Sequence, residues 1–476
     1  MRSVSVSITV GLFAVLFGTS FGMGCTAGYT LADTQNDIRT YHEHGLDDLD
    51  ELAERLARGY RKDGEDAVLY HLEKGMLYHH HGQWDASAQH FQQAERTIEA
   101  NFTRSISKNV QALLVNDLQL DYVGEAYEDF YLNTLNIINY LQKDDLEGAA
   151  VEARRVTHKL ETFSDRHQGL TASLVNPPDN EEVISADTTQ MILEQADAEL
   201  GEVNLHPDRI TPREMTQHTA LGRFLSTVVH AKQGDADGAR IEYQNLRSAL
   251  EDQSQTSFLN QLTARSAPTL GLSSSDALKD PSQYNTLITA FSGRMPAKEE
   301  RSFRIPLDLG ADPVSLYLAV PVLSEFASRV SEVQVTVAGE TRTMPMIEDM
   351  QAVARDMFDA TKHVIYIRAV LRAFLQTAAT EGLAALAREE VGEDLGWLTQ
   401  QLGRAMSSYS AQADVRGWQS MPGRAHAMVA QLPVGTHEVV FEFLDRSGNV
   451  LERRTDTLTV QSGSRALSAT TASFLN

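Results

Sequence analysis

The sequence predicts an α+β protein in two parts, an all-α N-terminal half built of helical repeats and a C-terminal mixed half in which antiparallel strands carry inserted helices. Three observations predict it. From Leu49 to about Leu262 apolar residues recur at three and four with little proline, the helical period. Between Gln253 and Pro281, Ser, Thr, Pro and Gly cluster, as in Ser266-Ala267-Pro268-Thr269 and Gly271-Leu272-Ser273-Ser274-Ser275. Beyond that point the apolar period changes to two. The division is therefore a helical domain over 49–265, a linker over 266–282, a mixed domain over 283–462 and a tail over 463–476.

Within the mixed domain, strands are expected over 284–346 and 424–460. Val314, Leu316, Leu318, Val320 and Val322 make the cleanest alternation, and Val333, Val335 and Val337 alternate with Glu332, Gln334 and Thr336. Such strands are half-buried. Residues 347–412 return to helical spacing, with Val364, Ile367, Leu371 and Phe374 on one stripe interrupted by Arg368 and Arg372, an amphipathic pattern. Val439, Phe441 and Phe443, the Asp445 to Asn449 turn and the run to Val460 read as a terminal β-hairpin.

The start of the chain carries an address. Met1-Arg2 precedes an apolar run from Ile8 to Phe17 and then small residues up to Gly24, directly before Cys25, the only cysteine. This reads as a lipoprotein signal over 1–24, with lipidation at Cys25 and a polar tether over 25–48. Thr26 after the cysteine favours a periplasm-facing outer-membrane location. Two alternatives stay open, an ordinary secretory signal cut near Ala27 and an uncleaved anchor. With Cys25 acylated there is no thiol left for a disulfide or a nucleophile.

At 476 residues and 42% hydrophobic content the chain has ample material for real cores, and a formal charge of −24 disfavours nucleic acid and anionic headgroups. No GxSxG, Walker or GxGxxG motif in the right setting points to catalysis. Neither catalytic residues nor a cofactor are expected. His79-His80-His81, with His42 and His44 upstream, is the one cluster that suggests metal, but consecutive helical residues point about 100° apart and do not converge on one ion. No metal site is assigned.

Gly75, Tyr78, Gly82, Trp84, Ser87, Phe91 and Ala94 fall at the spacings of the tetratricopeptide repeat, in which small residues let paired helices approach. Weaker copies run through Tyr140, Asp144, Leu146, Ala149, Ala153 and Val156, and through Gly234, Ala236, Ala239, Tyr243 and Leu246. The copies lie 62 residues (Gly82 to Asp144) and then 90 residues (Asp144 to Gly234) apart, so degenerate hairpins fit better than a tandem array. A generic helical bundle is the bland alternative. In such repeats the first helices line a groove, here with Leu69, Leu72, Met76, His79 and His80 from one copy and Tyr131, Ile138 and Gln142 from the next. Burial by neighbouring helices is the competing reading.

The chain resembles a family of uncharacterised bacterial lipoproteins with degenerate tetratricopeptide repeats. The resemblance rests on Tyr70 to Ala94, on Asn116-Asp117 with Tyr122, Gly124-Glu125 and Tyr127-Glu128, on Glu152 to Arg155, on Gly293 to Lys298, and on Asp414-Val415-Arg416-Gly417-Trp418 leading to Pro422. It implies an envelope lipoprotein with a helical repeat half, and it carries over no catalytic residue. The expected function is a non-enzymatic scaffold or adaptor for other envelope proteins, held to the membrane by Cys25. The rivals are a cell-wall-modifying enzyme whose site no local motif reveals, and a peptidoglycan or polysaccharide binder using Trp84, Trp397 or Trp418.

Overall fold

The computed structural model describes residues 31–44, 49–106, 118, 120–175, 186–200, 219–263, 269–307, 314–380 and 412–476. The signal segment, Cys25, Asn116-Asp117 and Trp397 lie outside the described residues. The protein is α+β, with helices in the N-terminal half and sheets in the C-terminal part. No described helix is long and apolar enough to cross a membrane.

Ten helices precede the first strand among the described residues: α1 (Leu31–His44), α2 (Leu49–Gly59), α3 (Ala67–His80), α4 (Trp84–Ile106), α5 (Ala126–Gln142), α6 (Leu146–Val175), α7 (Ala186–Leu200), α8 (Ala220–Gln233), α9 (Ala236–Asp252) and α10 (Ser257–Thr263). Three hairpins, α3/α4, α5/α6 and α8/α9, stack in chain order, α4 against α5 and α6 against α8. Their turns share one construction. A residue with positive φ follows the first helix, Gly82 (69°), Asp144 (58°) or Gly234 (83°). The next N–H then reaches back five residues, Gln83 to Tyr78 O, Asp145 to Tyr140 O and Asp235 to His230 O, each at 2.9 Å. In the last two hairpins the residue after the turn also caps the second helix, Asp145 Oδ1 accepting from Gly148 N–H at 2.8 Å and Asp235 Oδ1 from Gly238 N–H at 2.9 Å.

Ten strands follow: β1 (Thr286–Arg294), β2 (Ala297–Leu307), β3 (Val314–Ser324), β4 (Glu332–Val337), β5 (Glu340–Thr343), β6 (Met346–Asp349), then the long helix α11 (Met350–Thr380), then β7 (Pro422–Ala430), β8 (Gly435–Leu444), β9 (Val450–Val460) and β10 (Ser468–Phe474). They form one sheet in the order β10-β1-β7-β6, a second in the order β5-β4-β8-β9, and a two-stranded β2–β3 ribbon. All pairs are antiparallel except β1 with β10.

The β10-β1-β7-β6 sheet is the middle layer. Helices cover one face, where the His79 and Phe291 rings lie 6.2 Å apart, and the other sheet lies beyond it, with Phe443 and Phe474 5.7 Å apart. One hydrophobic core runs from Leu69 and Tyr131 through Ile288 and Val429 to Val335 and Phe441. A smaller, separate core joins Ile305, Leu307, Leu316 and Leu318 of the ribbon to Ile367 and Val370 of α11 and Ile192 of α7. This assembly is called the arm below.

Four expectations are corrected. The 25–48 tether is in part α1, with Thr34 and Ile38 buried. The 266–282 linker is packed where it is described: Leu270, Leu272 and Leu278 are buried, and Leu270 bridges to Ala430. The 463–476 tail holds β10, which is parallel to β1 although the C-terminal strands were expected to be antiparallel. β1 is buried on both faces, not half-buried, because it sits between two layers, and Thr286, Thr289 and Ser292 are all interior.

Candidate functional site

Four of the segments singled out in the sequence, those holding Tyr70 to Ala94, Tyr122 to Glu128, Gly293 to Lys298 and Asp414 to Trp418, meet at one place. Residues 412–421, an irregular stretch leading into β7, lie along the first helices of the first two hairpins and form a strap. Two carboxylates inside the helical array receive its backbone. Glu73 of α3 accepts Gln419 N–H at 2.6 Å on one oxygen and Ser420 N–H at 3.1 Å on the other. Glu128 of α5 accepts Trp418 N–H at 2.7 Å, while its second oxygen accepts Tyr122 O–H at 2.9 Å and Glu125 N–H at 2.8 Å. The Glu125 contact is half of a capping box, so Glu128 both closes the start of α5 and holds the strap.

Trp418 is the strap's apolar anchor. It is buried, its ring 5.6 Å from that of Phe91 at 67°, and its Nε1–H donates to Ser420 Oγ at 3.1 Å. Phe91 occupies its place because residue 75 has no side chain: a Cβ there would stand 2.5 Å from the ring. Two residues earlier, Arg416 forms a fork with Asp414 (2.9 and 2.8 Å) and donates to Asp66 Oδ1 at 3.2 Å and to the carbonyls of Leu120 and Glu65 at 3.1 and 3.4 Å. Its guanidinium also lies 5.2 Å from the centre of the Tyr122 ring. Lys298 at the start of β2 pairs with Glu125, Glu300 accepts Ala413 N–H at 2.8 Å, and Gln35 of α1 donates to Val415 O at 3.4 Å.

Burial dominates the electrostatics here. It pushes Glu73 and Glu128 up to about 7 against the hydrogen bonds they accept, and Glu128 and Glu125 repel the charges of their neighbours. Burial alone would lower Lys298 and Arg416. Glu125 and Asp414 on Lys298, and Asp414 and Asp66 on Arg416, reverse that and keep both cations charged. A third interior carboxylate, Glu348 of β6, is raised by burial to about 8 and accepts Ala220 N–H at the start of α8 at 2.8 Å.

The expected partner-binding groove is therefore filled from within. Leu69, Leu72, Met76, His79, Tyr131 and Ile138 are at most 1% exposed. His79 Nδ1–H donates to Asn139 Oδ1 at 2.8 Å, and half-buried His80 donates from Nε2 to Ser420 O of the strap at 3.3 Å. The Gln142 amide, turned to suit them, meets Ala469 O and Thr471 N–H of β10 at 3.2 Å each. Leu69, Leu72, Met76, Tyr131 and Ile138 belong to the main hydrophobic core, which corrects their assignment as an open surface. His81 bonds Leu77 O at 2.9 Å, so the three consecutive histidines face three different neighbours. Of the tryptophans considered for glycan binding, Trp418 is interior and Trp84 is half-buried with its ring 5.3 Å from that of His79.

Gly75 of α3 lets the Phe91 ring of α4 pack against it, and Ala94 of α4 is buried. Sequence reasoning missed that Glu73, Lys298 and Arg416 belong to one site. Glu125, Lys298 and Trp418 each lie in a segment on which the family resemblance rests, but no local signal tells that these segments meet. No protein-family model, curated protein or solved structure matches this chain.

Proposed function

We propose that this is a non-enzymatic lipoprotein of the bacterial envelope, lipid-anchored at Cys25 in the outer membrane and facing the periplasm. In this reading it serves as a protein-interaction scaffold built on degenerate, tetratricopeptide-like hairpins. The observation that carries the scaffold reading is the way the first two of three hairpins of one turn geometry hold an extended stretch of chain by its backbone and one aromatic anchor, the manner in which helical repeats hold peptides. Here the held stretch is the protein's own, so partners meet its outer faces. Glu73 and Glu128, both raised by burial, have both oxygens engaged by the chain's own donors, which supports a structural role for these two carboxylates.

The test is in-cell crosslinking of the acylated protein with capture and mass spectrometry, alongside Cys25→Ser. One reproducible envelope partner whose capture needs Cys25 supports the reading. Acyl labelling that persists in Cys25→Ser sinks the lipid anchor, and a well-folded protein with no partner sinks the scaffold.

A further inference from the structure

The three hairpins repeat more than their turns. Moving 62 residues along from His71 and His90 reaches Asn133 and Glu152, and a further 90 reaches Arg223 and Glu242, the same steps that relate the turns at Gly82, Asp144 and Gly234. In each hairpin these two positions lie 19 residues apart and are hydrogen-bonded across the helix pair. His71 Nδ1 meets His90 Nδ1 at 2.9 Å, Asn133 Nδ2 donates to Glu152 Oε2 at 2.6 Å, and Arg223 Nη1 donates to Glu242 Oε2 at 2.9 Å. The position is a polar bolt between the first and second helix of every copy.

The bolts differ in how they meet a proton. Asn133 and Arg223 are permanent donors, and a carboxyl group still accepts through its carbonyl oxygen after protonation, so the second and third bolts keep a donor facing an acceptor in acid. In the first bolt the ring centres lie 5.1 Å apart, so the imidazoles meet end to end and one Nδ1–H donates to the other ring's bare Nδ1. One added proton can sit on the donor ring's Nε2 and leave that bond intact. A second must go to the accepting Nδ1, where it sets N–H against N–H and charge against charge. The charges that face the pair are Lys74 of α3, Arg96 of α4, and Lys62 and Asp63 between α2 and α3, three positive and one negative. The Tyr70 ring lies 5.1 Å from that of His71, and the Tyr78 ring 5.5 Å from that of His90. Burial first, then the neighbouring cations and the partner imidazole, lower both histidines to about 4. What the pair lends to the fold is therefore full above the ordinary histidine range and is lost as pH falls toward that value.

We infer that the His71–His90 contact is an acid-operated joint, the one bolt of the three that opens on protonation, and that its opening loosens the seat of the strap. The link to the strap is short. His90 is followed by Phe91, whose ring packs 5.6 Å from that of Trp418, and His71 stands two residues before Glu73, which accepts Gln419 N–H and Ser420 N–H. When α3 and α4 part, both holds on residues 418–420 shift together, and the trough beneath them is uncovered. The joint belongs to the folded chain and is independent of the anchor proposed above.

The experiment is amide hydrogen exchange on the full chain, read as protection factors, with a chelator present so that no bridging ion holds the imidazoles. Between about pH 7.5 and about pH 4.5, protection in α3, α4 and residues 412–421 is expected to fall about tenfold further than in α8 and α9, which carry the third bolt and serve as the reference. In His71→Asn/His90→Glu, which imports the pair of the second hairpin, the extra fall is expected to vanish. Interior His79 remains in that variant, so a fall that persists belongs elsewhere and overturns the joint. Equal loss in the first and third hairpins of the unaltered protein overturns it as well. Nitrogen spectra of the histidine rings in the unaltered protein keep the test independent of how the variant folds. At about pH 7.5 one Nδ1 of the pair is expected to carry a proton and the other none, and the bare one to gain its proton over the interval in which protection is lost. Protonation of both Nδ1 atoms with no loss of protection overturns the inference.

Discussion

The main body and the arm are built from some of the same elements and are held together differently. β2 begins in the body, where Lys298 pairs with Glu125, and ends in the arm with Ile305 and Leu307. α11, about 46 Å long at 1.5 Å per residue, does the same, with Met350 and Val353 in the main core and Ile367 and Val370 in the arm. In the body, helices and two sheets bury one another, and interior carboxylates are matched to backbone donors. In the arm, a two-stranded ribbon leans on α11 and α7, and Tyr366 O–H to Pro321 O at 2.8 Å is one of its few buried polar ties. The contrast teaches that continuity of secondary structure does not make one cooperative unit; shared packing does.

The comparison breaks most decisively at Trp418. Trp418→Ala removes the strap's anchor from a buried site and is expected to cost about 3–5 kcal/mol, read as a lower urea midpoint of the main transition. Gly75→Ala drives a methyl into the Phe91 ring and costs about 1–3 kcal/mol by the same measurement, although the position is exchanged for a better helix former. Glu73→Gln leaves one of two strap N–H groups facing another donor, and a loss of about 1–3 kcal/mol is expected.

The pH dependence is smaller and has a definite sign. Glu73 and Glu128 are raised to about 7 and Glu348 to about 8, so in the folded protein they keep protons that the unfolded chain has already released. Their contribution is full at low pH and is lost as pH rises through those values. Burial lowers His71, His79, His90 and His426 to about 4, which acts in the opposite direction but mostly below the ordinary histidine range. Stability is therefore expected to fall by on the order of 1 kcal/mol between about pH 7 and about pH 8.5, measured by urea unfolding at matched ionic strength. The smallest effect on the body comes from the arm. Leu316→Ala should raise amide exchange in β2, β3 and the second half of α11 and leave the main urea transition in place; a shifted main transition would merge the two units.

What was legible in the sequence was local. The hairpin turns at Gly82, Asp144 and Gly234 were marked by residues that tolerate positive φ, and the Val333 to Val337 alternation became a one-sided strand. What was hidden was pairing at a distance. Trp418 and Glu128 are 290 residues apart and Lys298 and Glu125 are 173 apart, and periodicity carries no information about which segments meet. α1 escaped because its polar sequence turns few residues inward, among them Thr34 and Ile38. β10 escaped because Ser468 to Ser473 are small residues with no apolar alternation, although burial alternates along them in the fold.

The strap also fixes an order of events. Glu73 and Glu128 emerge early from any machine that delivers the chain from its N-terminus, but the amides they receive belong to residues 418–420 and arrive hundreds of residues later. Until then the first two hairpins carry an uncovered apolar trough with two buried-type acids in it. Such a half-delivered chain must be shielded from its neighbours while it waits, so maturation of this protein is governed by the arrival of its last quarter.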